Sequence, residues 1–480
     1  MANFKQYING QLVDGAGASK DVLNPADDSV AGSYLLATAD QATEALEAAQ
    51  KAFKTWSKTP LNERIDWLNK FREAIIAEKE YIIDLLSAES GKPYTTAMGD
   101  FMWSMGSLQF YAEEVRRVNG TTFADERSSN GGVYHVVEHR PIGVVVGHLA
   151  WNYPLGNAGL KLGPSIASGC CCILKPSSDT PLATLYLGEI AHKIGLPAGV
   201  VNIISGPSGE VAKTLNESKI PRMLTLIGSS ETGRQVMKEG STSIKTYSLE
   251  LGGCAPVIIM PDADIELAAS NTVGMKTSNT GQMCTDYNRI FVHEDIYDEY
   301  VSLVKEKIAH VKLGAMRDST SEFRMGPMIT RAARDRALGL VKDAVQKGAK
   351  LLYGGNIPAG REAGNWIEPT MLVDVTEDMI VYQEEIFAPI ISIIKFNDLD
   401  KALEMAVDTP FGLTSYLYTH DSRVIAKCFE AFESGEVSVN GAGGGSFMPH
   451  AGIKESGIGC DSSKWSLMEY YNFKRLDMKP

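Results

Sequence analysis

IGVVVGHL (residues 142–149) is apolar or glycine at every position except His148. A run of this kind suits a strand of a parallel sheet covered on both faces, because a half-exposed strand would alternate with polar residues. Similar short runs follow, separated by helical spacing: a helix near 156–168, CCCILKP (170–176), a helix near 181–194, VVNIIS (200–205), a helix near 208–216, and MLTLIG (223–228). The region from about 142 to 250 therefore reads as a doubly wound α/β layer. A second succession begins after residue 253, with APVIIM (255–260), RIFVH (289–293), KLLYGG (350–355), PIISIIKF (389–396) and TSYLYT (414–419). The expected fold class is α/β, with two doubly wound parallel-sheet domains.

Upstream, Ala42, Ala45, Leu46, Ala49 and Phe53 follow helical spacing, with Asp40 placed to cap the first turn. A second helix is expected from about Asn62, with Ile65, Leu68, Ile75 and Ile76 on one side and Gly91 as its stop. GGVYHVVEHR (131–140) alternates apolar and polar residues, as an exposed antiparallel strand does, and is a candidate edge for pairing with another subunit.

A chain of 480 residues exceeds what one core usually organises. Its formal net charge of −13 argues against nucleic acid or an anionic membrane as partner. Seven cysteines, three of them adjacent at Cys170, Cys171 and Cys172, make a poor disulfide framework, and C-x-x-C metal spacing is missing. No apolar run reaches the length of a membrane span, and the first residues lack the pattern of a secretory signal. A cytoplasmic protein without a metal is the expectation.

Several motifs offer chemistry, each with a plainer alternative. LIGSSETG (226–233) sets a strand end and Gly228 before a helix whose free amides attract phosphate, although strand-glycine-helix turns are common. KPSSDTP (175–181) offers Lys175 and two hydroxyls, or a solvated loop. SLELGGCAP (248–256) presents Glu250 beside a glycine pair as a general base, or as a surface carboxylate. WNYPLGN (151–157) supplies Asn152 as an oxyanion donor, or as a helix cap. NTGQMCTD (279–286) sets Cys284 among small polar residues, where a thiol can meet a ligand.

Taken in order, WNYP, KPSSDTP, IGSSETG, LELGG, GQMC, EEIFAP (384–389) and HAGIKESGIG (450–459) resemble the aldehyde dehydrogenase superfamily from near the start of the chain to its end. The resemblance implies a cofactor-binding domain (1–118 and 142–252), a catalytic domain (253–450) and a small β oligomerisation element (119–141 and 466–480) that joins dimers or tetramers. It also implies that Cys284 is the nucleophile, Asn152 and the Cys284 amide the oxyanion donors, and Glu250 the base that activates water on a thioester. Lys161 matches a lysine that orients or relays protons near that glutamate, or else forms a structural ion pair.

For a nicotinamide dinucleotide the match gives Lys175 and Ser178 to the adenosine ribose or its phosphate, and Ser229 to the pyrophosphate. Glu385 goes to the nicotinamide ribose and Phe387 to the nicotinamide side, with Trp151, Ser177, Gly228, Gly233, Leu251 and Gly252 in the same cleft. Members that prefer NAD often carry glutamate at the position of Ser178, so NADP is expected to be accepted, with NAD as a possible co-substrate. The substrate branch resembles those handling succinate semialdehyde, lactaldehyde and related hydroxy or acidic aldehydes. The arginines that carboxylate-binding members use are, however, replaced by Leu160 and Ser278.

Tyr153, Asn157, Ser278, Thr285, Asn440 and His450 are the polar candidates for substrate contact. NGAGGGSFMPHAG (440–452) departs from the family's usual PFGG and is either a glycine-rich contact or a loop without one. The expected reaction is oxidation of a short polar aldehyde to its acid. The alternatives are a CoA-acylating relative and a non-catalytic member of the fold.

Overall fold

Five parallel strands organise the first half of the chain, in the spatial order Thr246–Glu250, Pro221–Ile227, Val144–His148, Cys171–Lys175 and Val201–Ile203. The computed structural model describes residues 3–124, 133–314 and 324–479. Val144–His148 and Cys171–Lys175 are buried at every position, as the uninterrupted apolar runs require. Antiparallel strands Gln6–Ile8 and Gln11–Val13 extend one edge, and the short strand Gly457–Ile458 pairs antiparallel with Thr246–Glu250 at the other.

The chain order leaves Val144–His148 flanked on opposite sides by the second and fourth strands of the series, so the sheet reverses direction there. Ligands of open α/β sheets sit outside the carboxyl ends of strands at such a reversal. Asn152, Lys175, Gly228 and Glu250 all lie at or just after those ends.

A second sheet runs in the order Lys350–Tyr353, Thr370–Val373, Ile390–Phe396, Tyr287–His293, Ala255–Ile259, Thr414–Tyr418 and Glu436–Val439, parallel throughout except at Lys350–Tyr353. Its two faces carry separate apolar clusters, centred on residues such as Ile258, Phe291 and Ile394 on one side and Val257, Ile290 and Ile393 on the other. Residues alternate between faces along each strand, so neighbours in sequence serve different cores.

Helix Pro154–Ser168 is buried at all positions, against helix Tyr94–Glu114. Close approach demands glycine there: a Cβ on Gly159 would lie 2.6 Å from Ser104 Oγ, and one on Gly163 2.6 Å from the Tyr111 ring. The same enclosure obliges Lys161, on that helix, to find an ionic partner.

The third sheet joins Thr121–Ala124, Tyr134–Pro141 and Tyr471–Met478 antiparallel, with the last two strands paired over their whole length. Phe473, at 77% exposure, and Leu476, at 55%, stand out from it. Residues 125–132 of the expected oligomerisation element, including the first two of GGVYHVVEHR, lie outside the described residues.

Two local expectations are corrected. The first helix is Ala39–Trp56 with Thr38 as its N-cap, and Asp40 sits inside the first turn; the Gln41 side chain accepts from the Thr38 amide at 3.3 Å. The second expected helix divides at Glu78 into Leu61–Ala77 and Lys79–Ser90, which leaves Ile76 exposed while Gly91 closes the latter at φ 72°. No helix among the described residues is long and apolar enough to cross a membrane.

Candidate active site

Helix Ile265–Thr277 ends in a 3₁₀ turn whose Asn279, Thr280 and Gly281 all have positive φ, at 46°, 60° and 68°. Left-handed backbone suits glycine and asparagine but costs about 1–3 kcal/mol at a β-branched residue. Buried hydrogen bonds hold it in place. Thr280 Oγ1 donates to Gly326 O (3.0 Å), and Gln282 Nε2 donates to Asn279 O (3.0 Å) while its Oε1 accepts from the Ile329 amide (3.0 Å). Asn279 Nδ2 donates to both Gln282 O and Asn152 O, each at 3.0 Å, and so ties the two loops together. The result is a partly exposed Cys284 following buried Gln282 and Met283.

Glu250 ends its strand at 5% exposure. His450 Nε2 lies 3.3 Å from Glu250 Oε1 and 3.8 Å from Cys284 Sγ, and the three donor atoms are within 4.8 Å of one another. On the far side of the ring, Nδ1 is 2.6 Å from Glu436 Oε1. Burial, then the Glu250 charge, pushes the Cys284 thiol up to about 12, with His450 acting in the opposite direction. Burial lowers the His450 pKa, but hydrogen bonds to Cys284, Glu250 and Glu436 outweigh it and hold the imidazole well above its usual value.

Asn152 is buried, and its Oδ1 accepts from the Tyr153 amide at 3.1 Å, which leaves Nδ2 as the donor end of the side chain. Lys161 is ion-paired with Asp461, both buried, rather than with Glu250: of the two readings of this lysine, the geometry is that of the structural pair. Asp461 in turn exchanges backbone hydrogen bonds with His450, 2.8 Å each way.

The expected substrate contacts divide. Tyr153, Ser278 and Thr285 lie on the Asn152 and Cys284 loops, and Tyr153 stacks edge-on against Trp103 with the Lys92 ammonium 4.1 Å from its ring centre. Asn157 donates its amide to Ala150 O at 3.2 Å within a buried helix. The Asn440 side chain makes two hydrogen bonds to the Thr419 backbone, at 3.0 and 3.1 Å. His450 faces Cys284 and Glu250.

Of the proposed dinucleotide residues, Lys175 and Gly228 lie at or just after the carboxyl ends of strands of the first sheet. Lys175 is buried and has no ionic or hydrogen-bonding partner for its ammonium among the described residues; burial, then repulsion from Lys20, lowers it to about 8. An unpaired ammonium beside the half-buried Ser177 and Ser178 fits an anionic ligand. The KPSSDTP helix N-terminus is not available for phosphate, since Glu89 accepts from the Leu182 (2.6 Å) and Ala183 (3.1 Å) amides.

After Gly228, Ser229 caps helix Ser230–Gly240 by accepting from Thr232. A Cβ on Gly233 would meet the Leu251 methyl groups at 2.9 Å, so that side chain would have to shift. Glu385 Oε1 accepts from the Gly253 amide at 3.0 Å, while a Cβ on Gly252 would come within 2.9 Å of its other oxygen. Burial raises Glu385 to about 7, with the Glu250 charge adding to it against the pull of that amide. Phe387, at φ 50°, meets Trp151 edge-to-face with ring centres 5.4 Å apart.

The profile of the aldehyde dehydrogenase family matches residues 12–476. The chain belongs to this family. It is 36% identical over 473 residues to a glutarate-semialdehyde dehydrogenase of Pseudomonas putida, covering 98% of this chain and 96% of the relative. It is 34% identical to a succinate-semialdehyde dehydrogenase [NADP(+)] of Escherichia coli, covering 98% and 96%. A solved 3,6-anhydro-L-galactose dehydrogenase in complex with NAP superposes with a TM-score of 0.95 at 34% identity, covering 100% of both chains. As a family member the chain is an enzyme, an oxidoreductase acting on aldehydes.

Glu436 and Asn279 were not singled out from the sequence. Glu436 lies within GEVSVN, 14 residues before His450, without a motif to announce it. Asn279 stood inside the quoted cysteine stretch, and its place before Thr-Gly was the one available signal of a left-handed turn.

Proposed function

We propose that this aldehyde dehydrogenase oxidises a short hydroxy- or acid-bearing aldehyde to its carboxylic acid through a thioester on Cys284, which water then hydrolyses. The observation that carries the reading is the convergence of Cys284 Sγ and the buried Glu250 carboxylate, with the Asn152 loop tied to the nucleophile turn through Asn279. Deprotonated Sγ adds to the aldehyde carbon, and the new oxyanion is met by Asn152 Nδ2 and the Cys284 amide. A bound nicotinamide dinucleotide supplies the hydride acceptor. Glu250 then takes a proton from the water that attacks the thioester, and the thiolate leaves. Donors already aimed at a developing charge contribute about 10²–10³ each in rate.

The residues fit the dinucleotide through the unpaired Lys175 ammonium, the Ser229-capped helix start and Glu385 on the Gly253 amide. Ser178 adds no carboxylate to repel a 2′-phosphate, and Lys20 adds positive charge beside Lys175, so NADP is accepted alongside NAD. The relatives' names bring acid-bearing and sugar-derived aldehydes into the candidate set. Leu160 and Ser278 supply no arginine for a distal carboxylate, so hydroxylated substrates are favoured. No metal is assigned a role, since Cys284 and Glu250 supply nucleophile and base.

The test is reduced-dinucleotide absorbance with both cofactors across a panel of hydroxylated, acidic, alkyl and aromatic aldehydes, without CoA and with the acid product measured. Turnover on the short polar aldehydes with free acid formed, and none with Cys284→Ala, is expected. Best turnover on long alkyl or aromatic aldehydes would overturn the substrate class, as full activity of Cys284→Ala would overturn the mechanism.

A further inference from the structure

His450, one of the polar candidates for substrate contact, stands directly against Cys284 and Glu250. It arrives from the far end of the chain: strand Gly457–Ile458 pairs with the Glu250 strand, the Leu251 amide donates to Ser456 O at 2.9 Å, and paired backbone bonds to Asp461 fix the histidine itself. Glu436, from the last strand of the second sheet, holds Nδ1 at 2.6 Å. A carboxylate there keeps a proton on Nδ1 and turns Nε2 toward the pair that does the chemistry. Nε2 is 3.8 Å from Cys284 Sγ and 3.3 Å from Glu250 Oε1.

We propose that His450, oriented by Glu436, is a catalytic acid–base group that takes the proton from Cys284 and returns it when the thiolate leaves. The proposal rests on Cys284 being the nucleophile. Before attack the S–H bond is already broken and its proton sits on Nε2, as the imidazole's raised affinity for a proton allows; the sulfur lone pair then forms the C–S bond to the aldehyde. In hydrolysis the C–S bond breaks, sulfur keeps the electron pair, and the Nε2 proton returns to it, while Glu250 holds the proton taken from water.

This division of labour answers an electrostatic difficulty. Glu250, as an anion, opposes ionisation of the neighbouring thiol, and burial opposes it further. An imidazolium in contact with sulfur offsets both. The charged and titratable groups around the ring are Glu436, Glu250 and Cys284 in contact with it. Beyond them, Asp461 is neutralised by Lys161, Glu385 is raised in part by the Glu250 charge, and Tyr416 and Tyr153 border the thiol.

The test follows alkylation of the intact enzyme by iodoacetamide as a function of pH, with no aldehyde added, and with Cys284→Ala defining the background from other thiols. His450→Phe and His450→Gln are expected to slow Cys284 alkylation at pH 8 about tenfold or more and to move the log-rate curve up by about one pH unit. Glu436→Gln moves it in the same direction by less. Circular dichroism identifies folded variants, and Glu436→Gln and His450→Gln keep the test decisive if the phenylalanine variant does not fold. Curves of folded variants that superimpose on wild type would overturn the role of His450. The proposed function fails separately, if Cys284→Ala retains aldehyde oxidation.

Discussion

Lys175→Met is expected to make the cofactor-free protein more stable while weakening its grip on NADP. Lys175 is 6% exposed, its ammonium is unpaired among the described residues, and its pKa is lowered to about 8 from 10.5 by burial and Lys20. The unfolded chain therefore binds more protons than the folded one between those two values, so this group's penalty is largest below pH 8 and fades as pH rises toward 10.5. At pH 7 the difference amounts to about 3 kcal/mol, and at pH 9.5 to about 1.4 kcal/mol.

For 480 residues the unfolding entropy is on the order of 1 kcal/mol/K, so removing the charge raises the melting temperature by about 3 °C at pH 7 and by about half that at pH 9.5. Thermal melts of wild type and variant at the two pH values, with and without saturating NADP, measure this directly. NADP should raise the melting point of wild type and do far less for the variant. A variant destabilised equally at both pH values, yet bound by NADP as tightly as wild type, would refute both the desolvation argument and the assignment of Lys175 to the anion.

Three other perturbations separate the parts of the site. Glu250→Gln leaves thiol attack possible but removes the acceptor for the hydrolytic proton; rapid mixing should show about one equivalent of reduced dinucleotide per subunit, followed by steady turnover down about 10²-fold or more. Gly253→Ala places a Cβ 2.4 Å from the Cys284 carbonyl oxygen. The nucleophile must move by somewhat under ~1 Å, so kcat should fall about 10²-fold while the melting point drops by only ~1–3 °C. Phe473→Glu on the exposed face of Tyr471–Met478 should lower the mass measured by light scattering if that sheet joins subunits as proposed, and an unchanged mass would remove the strand from the interface.

What could be read from the chain and what could not follow the range over which each signal acts. Val144–His148 was legible because burial on both faces is written into consecutive residues, and Gly91 because a left-handed helix end favours glycine locally. Cys284, Glu250 and Asn152 were placed by the order of their motifs, since nothing local distinguishes a base from a surface glutamate. For Asn157 and Asn440 the sequence is mute, because an amide reads the same whether it serves a ligand or the backbone; here each bonds to the main chain.

The ion pair of Lys161 spans 300 residues in sequence and the His450 contact to Cys284 spans 166. Neither has a periodicity to betray it. The glycine-rich NGAGGGSFMPHAG was weighed for its backbone, yet the paired backbone of His450 and Asp461, with Glu436 against the ring, makes its one imidazole the fixed point. A histidine two residues before glycine carries no weight as a motif. It acquires weight only when two carboxylates and a thiol from three other parts of the fold close around it.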